Sequence, residues 1–334
     1  MPIDLSKSLV VGISATALFN LSEADKVFKE KEAHDPDTAI EEYRSYMLNS
    51  ENDPLDDGTG MPLVQALLGL NVHQKEGDPP IVEVVVMSRN SPETGFRVLN
   101  EIRRRKLKIS RMAFTAGESN VDYLKAFSVD LFLTTSESDA QRIIDSNVCA
   151  AAVVKAPPQS IQLTVENQVR FAFDADAVIF NEESELINQE QGLDEFHKNE
   201  DINQEIPLPE GPYAKLLIKL SKLKERLSGR KEFSPPKLAI ITARNSPAEM
   251  RVVKTLRKWD VYVDMAFFLG GLEKSKFLKP FKPHIFFDDQ DSHLDPASID
   301  VPCAKVLYPS NSPLIKIFAE KKSKEKQINK LLEQ

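Results

Sequence analysis

The chain has 334 residues, 41% hydrophobic and 28% charged, a balance that suits a folded globular protein and excludes a disordered one. Its formal charge of −8 lacks the basic footprint of a nucleic-acid binder, so an anionic ligand must be met by local positive charge or a metal. No apolar run approaches the roughly 18 residues of a membrane span, and two cysteines, Cys149 and Cys303, build no disulfide scaffold. A reducing, cytoplasmic setting is expected. In chain order, Leu9–Ile13 reads as a first buried strand. The stretch from Lys7 to Phe19, with Ala15-Thr-Ala17, imitates a secretory leader, but Asp4 is out of place in one. An acidic, helix-rich insertion, Ser22–Asn71, follows. Strands are then expected at Ile81–Met87, Leu131–Leu133 and Ala150–Val154, with a helix over Gly95–Arg105. Pro157-Pro158-Gln-Ser-Ile-Gln162 is the natural boundary. Beyond it the same series returns: strands Val169–Phe173, Lys237–Thr242, Ile285–Phe287 and Ala304–Leu307, an insertion Glu182–Arg230 and a helix Met250–Trp259. Alternating strands and helices predict an α/β fold with parallel sheets covered on both faces.

The return is a tandem repeat. VEVVVMSRNSPETGFRVLNEIRR matches KLAIITARNSPAEMRVVKTLRK, with Arg89 and Arg244 offset by 155 positions. Pro54-Leu-Asp-Asp-Gly58 pairs with Pro207-Leu-Pro-Glu-Gly211, and Ala113-Phe-Thr-Ala-Gly117 with Phe267-Phe-Leu-Gly-Gly271. Two duplicated Rossmann-like halves are expected, residues 1–160 and 161–320, followed by a charged tail, 321–334. Positions kept in both halves serve the fold; polar positions present in one half suggest function. Asp174 and Asp176 face Ser14 and Thr16, Thr242 faces Met87, and Lys274 faces Asn120. Asp288 and Asp289 face Thr134 and Thr135. All six lie at strand ends or just beyond, where open parallel sheets hold their ligands.

Four carboxylates at two strand ends would repel one another without a hard cation, and Mg²⁺ takes oxygen ligands while leaving room for phosphate. A carboxylate can attack phosphorus, and an ammonium and a hydroxyl can hold phosphoryl oxygens. Phe173-Asp-Ala-Asp-Ala-Val178 resembles the first motif of the haloacid dehalogenase-like hydrolases, with Thr242, Lys274 and Asp288-Asp289 where that superfamily keeps its others. More narrowly, FDADAVIFNEESELI, ITARNSP, FFLGGLEK and HIFFDDQ resemble the cytosolic type I 5′-nucleotidases over nearly the whole chain. That resemblance implies a Mg²⁺-dependent hydrolase of nucleoside 5′-monophosphates, with AMP among the candidates. Asp174 is then the nucleophile and Asp176 the general acid and base. The metal is held by Asp174, the Asp176 carbonyl and Asp288, with Asp289 in contact or behind. Thr242, Ala243, Arg244 and Lys274 would hold the substrate, and 182–230 would be a helical cap. The first half is then a degenerate, non-catalytic copy.

Plainer readings stand beside these. An Asp pair also suits a helix cap, a lysine near Lys276 is ordinarily a surface group, and Asp289 could merely cap. Arg244 and Asn245 recur as Arg89 and Asn90, so a structural turn fits them at least as well as substrate contact. Phe180 reads as a core aromatic, both cysteines as small core residues, and His284 and His293 as solvated or capping groups. A sugar-phosphate phosphatase and a non-catalytic nucleotide sensor are the competing functions, and homo-oligomerisation is left open. Apolar Met87, placed where a phosphoryl oxygen needs a donor, favours a single ligand site per chain.

Overall fold

In the computed structural model, residues 4–32, 35–159, 168–227 and 230–332 are described. Of the expected boundary Pro157–Gln162, positions 160–162 lie outside them. The first half runs β1 (Leu9–Ile13), α1 (Ala15–Leu18), α2 (Ser22–Glu32), α3 (Pro36–Asn49), α4 (Met61–Gly69), β2 (Val82–Ser88) and α5 (Phe96–Arg104). It continues with β3 (Arg111–Phe114), α6 (Val121–Leu124), β4 (Leu131–Thr134), α7 (Glu137–Ser146) and β5 (Ala150–Val154). The second half begins β6 (Val169–Phe173), α8 (Glu183–Gln191), α9 (Leu193–Ile202), α10 (Ala214–Leu227), β7 (Pro236–Thr242) and α11 (Glu249–Lys258). It closes with β8 (Met265–Phe268), α12 (Ser275–Phe281), β9 (Ile285–Asp288), α13 (Asp291–Ala297), β10 (Cys303–Lys305) and α14 (Pro313–Leu332). The charged tail expected from residue 321 is thus the far end of a helix that starts earlier.

All ten strands form one sheet, ordered β3-β2-β1-β4-β5-β10-β9-β6-β7-β8. The order 3-2-1-4-5 therefore occurs twice, the second time reversed across the sheet. Every neighbouring pair is parallel except β5 and β10, which run antiparallel with Ala304 opposite Val154. The expected pair of sheets is one sheet, and the join has a geometric consequence. Strands of the two halves point opposite ways, so their carboxyl ends, where ligands bind, lie at opposite edges.

β1 and β2 are buried at every residue, as strands covered on both faces must be. The edge strands β3 and β8 went unpredicted because their residues are only half-buried or exposed and carry no continuous apolar signal. The largest apolar cluster runs through both halves, from Leu9, Val11 and Ile13 to Phe171, Phe173 and Phe287. α4 packs against β2 and β6, and α10 against β1 and β7. α10 buries Leu216, Leu217, Leu220 and Leu223, so of the segment 182–230 this helix belongs to the core, and only α8 and α9 remain to stand over the strand ends.

Two glycines are demanded by close approach. The amide of Gly211 donates to the Ile179 carbonyl, and that of Gly58 to the Leu18 carbonyl. A Cβ on Gly211 would lie 2.3 Å from the Phe180 oxygen, and one on Gly58 2.4 Å from the Ala17 oxygen. Each holds the chain that follows the first strand of its half against the segment before the next helix.

Candidate active site

β6 ends on Asp174, whose amide donates to the Phe287 carbonyl (2.8 Å), level with the end of β9. One oxygen of Asp174 accepts from its neighbour's amide, Ala175 N–H, at 2.7 Å. The loop then turns through Ala177 at φ 57°, a conformation alanine seldom adopts, and carries Asp176 toward β7. Lys274, at the start of α12, is buried with its ammonium 2.9 Å from Asp174 and 2.7 Å from Asp288. The surface-lysine reading is set aside by that burial. Burial raises the Asp174 carboxyl to about 6, outweighing the downward pull of Lys274. Burial also pushes Asp288 up, but Lys274 and His293 outweigh it and hold that carboxyl below its usual value. The same two carboxylates more than offset the burial of Lys274 and keep it firmly protonated.

The other acidic groups face elsewhere. Asp289 is buried, with one oxygen accepting from the Tyr308 hydroxyl and the other without a hydrogen-bond partner. Burial, then the charges of Asp288 and Asp174, raise its carboxyl well above the usual range. Both oxygens of Asp176 accept from Arg244, at 2.5 and 2.8 Å. Arg244 is also bound to Glu200 of α9 at 2.5 Å, and Glu200 to Arg251 at 2.9 Å and to Ser184 of α8 at 2.9 Å. Arg244 is therefore a buried tie between the Asp176 loop and the α8–α9 pair, not a free group aimed at an anion. His197 of α9 adds a contact to Asn245 at 2.8 Å. Ala243 follows at the end of β7, beside Arg244.

Thr242 is buried, and its hydroxyl accepts from the Arg244 amide at 3.2 Å. Its partner in the first half is not Met87. Ile13 pairs with Val86 and Phe173 with Ile240, so two residues further on Ser88 is level with Thr242. Ser88 likewise accepts from the amide two residues ahead, Asn90 N–H, at 3.2 Å. The matched Arg-Asn-Ser-Pro strings are shifted by one residue relative to the strands that carry them. Met87 instead joins an apolar cluster with Val10 and Phe132.

Asp174, Asp288 and His293 each offer a ligand atom within 4.8 Å of the others. His293, read from the sequence as a solvated or capping group, has its Nδ1 3.2 Å from both Asp288 oxygens. Its place one turn into α13, just after Asp288-Asp289, was the available signal. His284 is neither solvated nor near this cluster: it is buried, and its Nδ1 accepts from the Arg170 amide at 3.0 Å. Phe180 is wholly buried against Trp259, with ring centroids 5.5 Å apart. Cys303 is a core residue, and Cys149 is half-buried at the edge of the first half's cluster. A cavity of about 610 Å³ lies beside the loop, lined by Ala177, Asn181, Glu182 and Tyr308, with Asp145 and Asn147 of the first half.

The family model described as 5′-nucleotidase matches residues 1–313. Human cytosolic 5′-nucleotidase 1B is 31% identical over 296 residues, covering 87% of this chain and 47% of that protein. The chain thus spans about half the length of that curated relative. Among solved structures, a chain of the Pnkp1/Rnl/Hen1 complex is 13% identical, covering 91% of this chain and 97% of that one, with a TM-score of 0.32, too weak a likeness to bear on the fold. Among the described residues, no helix is long and apolar enough to cross a membrane. With a family match over almost the full chain and a cytosolic relative of this identity, the chain belongs to the 5′-nucleotidase family, in its cytosolic type I group.

Proposed function

We propose that the chain is a Mg²⁺-dependent 5′-nucleotidase of the cytoplasm that hydrolyses nucleoside 5′-monophosphates through an aspartyl phosphate on Asp174. The observation that carries this is the buried Asp174–Lys274–Asp288 cluster at adjoining strand ends, joined by His293. In this reading the chain is a tandem of haloacid dehalogenase-like units, 1–160 and 161–320, with α8–α9 as the cap of the second.

The carboxylates of Asp174 and Asp288 and the backbone carbonyl of Asp176 would supply oxygen donors for a hard divalent cation, with the unpartnered buried oxygen of Asp289 close behind and His293 beside Asp288. When bound, such an ion offsets the negative charge of carboxylates and phosphate together. An oxygen of Asp174 forms the new bond to phosphorus as the bond to the 5′-oxygen breaks. Asp176 gives its proton to that leaving oxygen, then takes one from the water that attacks the phosphoryl group and frees Asp174. Both Asp176 oxygens are held by Arg244, so the carboxyl must turn from it to transfer a proton. Lys274 and the Thr242 hydroxyl hold phosphoryl oxygens.

Phosphate release from nucleoside monophosphates and sugar phosphates, with and without Mg²⁺, tests the reading. Asp174→Asn is expected to abolish release while leaving the fold intact. Turnover by that variant within about tenfold of wild type, a barrier change of only ~1.4 kcal/mol, would sink the covalent mechanism. Faster release from sugar phosphates would reassign the substrate.

A further inference from the structure

We infer that the first half carries a second ligand site, which binds a nucleoside 5′-monophosphate without metal and does not cleave it. This rests on the reading of the second half as a phosphate site. A cavity of about 760 Å³ opens at the carboxyl ends of β1, β2 and β4, between the strand ends and the α2–α3 pair. That volume is ample for a mononucleotide.

The strand ends there repeat the arrangement of the second half with hydroxyls at the positions of Asp174, Asp176, Asp288 and Asp289. Ser14 and Thr134 stand in for Asp174 and Asp288, and their local bonding is the same. The Ser14 amide donates to the Leu133 carbonyl at 2.8 Å, as Asp174 does to Phe287. The Thr134 hydroxyl accepts from Ser136 N–H at 3.1 Å, as Asp288 does from Gln290 N–H at 2.9 Å. Thr16 and Thr135 share a hydroxyl contact of 2.6 Å, and Ser14 and Thr16 one of 3.1 Å. Asn120 replaces Lys274, and Ser88 supplies the hydroxyl of Thr242, which removes the objection that Met87 raises. At the positions of Asp174, Asp176, Asp288 and Asp289 a phosphate dianion meets hydroxyls, and Asp139, a carboxylate that lines the cavity nearby, is paired with Arg89 at 3.7 Å. No carboxylate stands where Asp174 does, so no aspartyl phosphate forms.

Two observations point to a nucleoside attached to the phosphate. Asp139 lines the cavity, is 6% exposed, and has an oxygen with no hydrogen-bond partner, only an ion pair to Arg89 at 3.7 Å. A buried acceptor of this kind suits a ribose hydroxyl. The rings of Phe28 and Tyr43, which also line the cavity, meet edge to face at 6.0 Å and offer a surface for a base. Because β5 and β10 are antiparallel, this site and the catalytic one occupy opposite edges of the sheet.

The test is calorimetric titration of AMP, and separately of inorganic phosphate, into the Asp174→Asn protein in EDTA. One AMP per chain is expected, bound at least tenfold more tightly than phosphate. Thr134→Asp in that background restores a repelling carboxylate and should weaken binding at least tenfold; Asn120→Ala, a milder change, should weaken it severalfold. Lys274→Met should leave it unchanged. No binding in EDTA, or loss with Lys274→Met but not with Thr134→Asp or Asn120→Ala, would overturn the site. Equal affinity for phosphate would overturn its nucleotide specificity. Phosphate release by the wild-type protein reports on the catalytic half independently, so either reading can fail alone.

Discussion

Lys274→Met removes the one ammonium shared by two buried carboxylates. In the folded chain its nitrogen lies 2.9 Å from Asp174 and 2.7 Å from Asp288, whose side chains are 7% and 0% exposed. Methionine fills a similar volume but leaves the carboxylates facing each other in a site that water hardly reaches. Breaking a buried ion pair from one side costs about 3–5 kcal/mol, because the charge left behind has lost its partner and cannot recover its hydration. That is a fifth or more of the roughly 5–15 kcal/mol that holds a typical domain together. Urea unfolding followed by circular dichroism, at neutral pH in EDTA, measures the loss directly. Adding Mg²⁺ should restore part of it, since a cation among Asp174, Asp288 and His293 supplies the missing charge. The variant should also lose catalysis by about 10²-fold or more, the usual consequence of removing a donor to a developing oxyanion. A stability loss under about 1 kcal/mol in EDTA would show that Lys274 does not bridge the two carboxylates in solution, and the account of the site would fall.

Gly211→Ala places a Cβ 2.3 Å from the Phe180 carbonyl oxygen and 2.7 Å from that of Val178, both backbone atoms. The segment after Asp176 must shift, so a stability loss of about 1–3 kcal/mol and a parallel drop in turnover are expected; an unchanged melting temperature would contradict the contact. His284 supplies the pH dependence: burial, with help from Arg170, lowers its pKa to about 4 from the ordinary histidine value of 6.5. Between those values the unfolded chain binds a proton that the folded chain refuses, so stability is full above about pH 6.5 and falls as the pH drops toward 4. The loss should reach roughly 3 kcal/mol. His284→Asn, which keeps an acceptor for the Arg170 amide, should remove that part of the acid sensitivity, and an identical pH profile in the variant would refute the assignment.

Much of the architecture was legible in the amino-acid sequence because the informative signals are local. Short β-branched runs marked eight of the ten strands within a residue or two, and the repeat of Pro54–Gly58 in Pro207–Gly211 marked a contact made twice. Five of the six polar positions singled out in the second half, Thr242 excepted, do differ from the residues level with them in the first, because a residue's type and its distance from a strand end are properties of the chain itself. What tertiary structure decided depends on partners far along the chain. Strand register is set by ladders between distant segments, which is why Ser88, not Met87, stands level with Thr242. The direction of the β5–β10 join is settled by a single pair of strands, yet it sends the two sets of strand ends to opposite edges of the sheet. Side-chain partnerships follow suit. Arg244 ties Asp176 to Glu200, and His293 lies beside Asp288, because a buried charged group needs a partner and the partner on hand depends on how the helices pack.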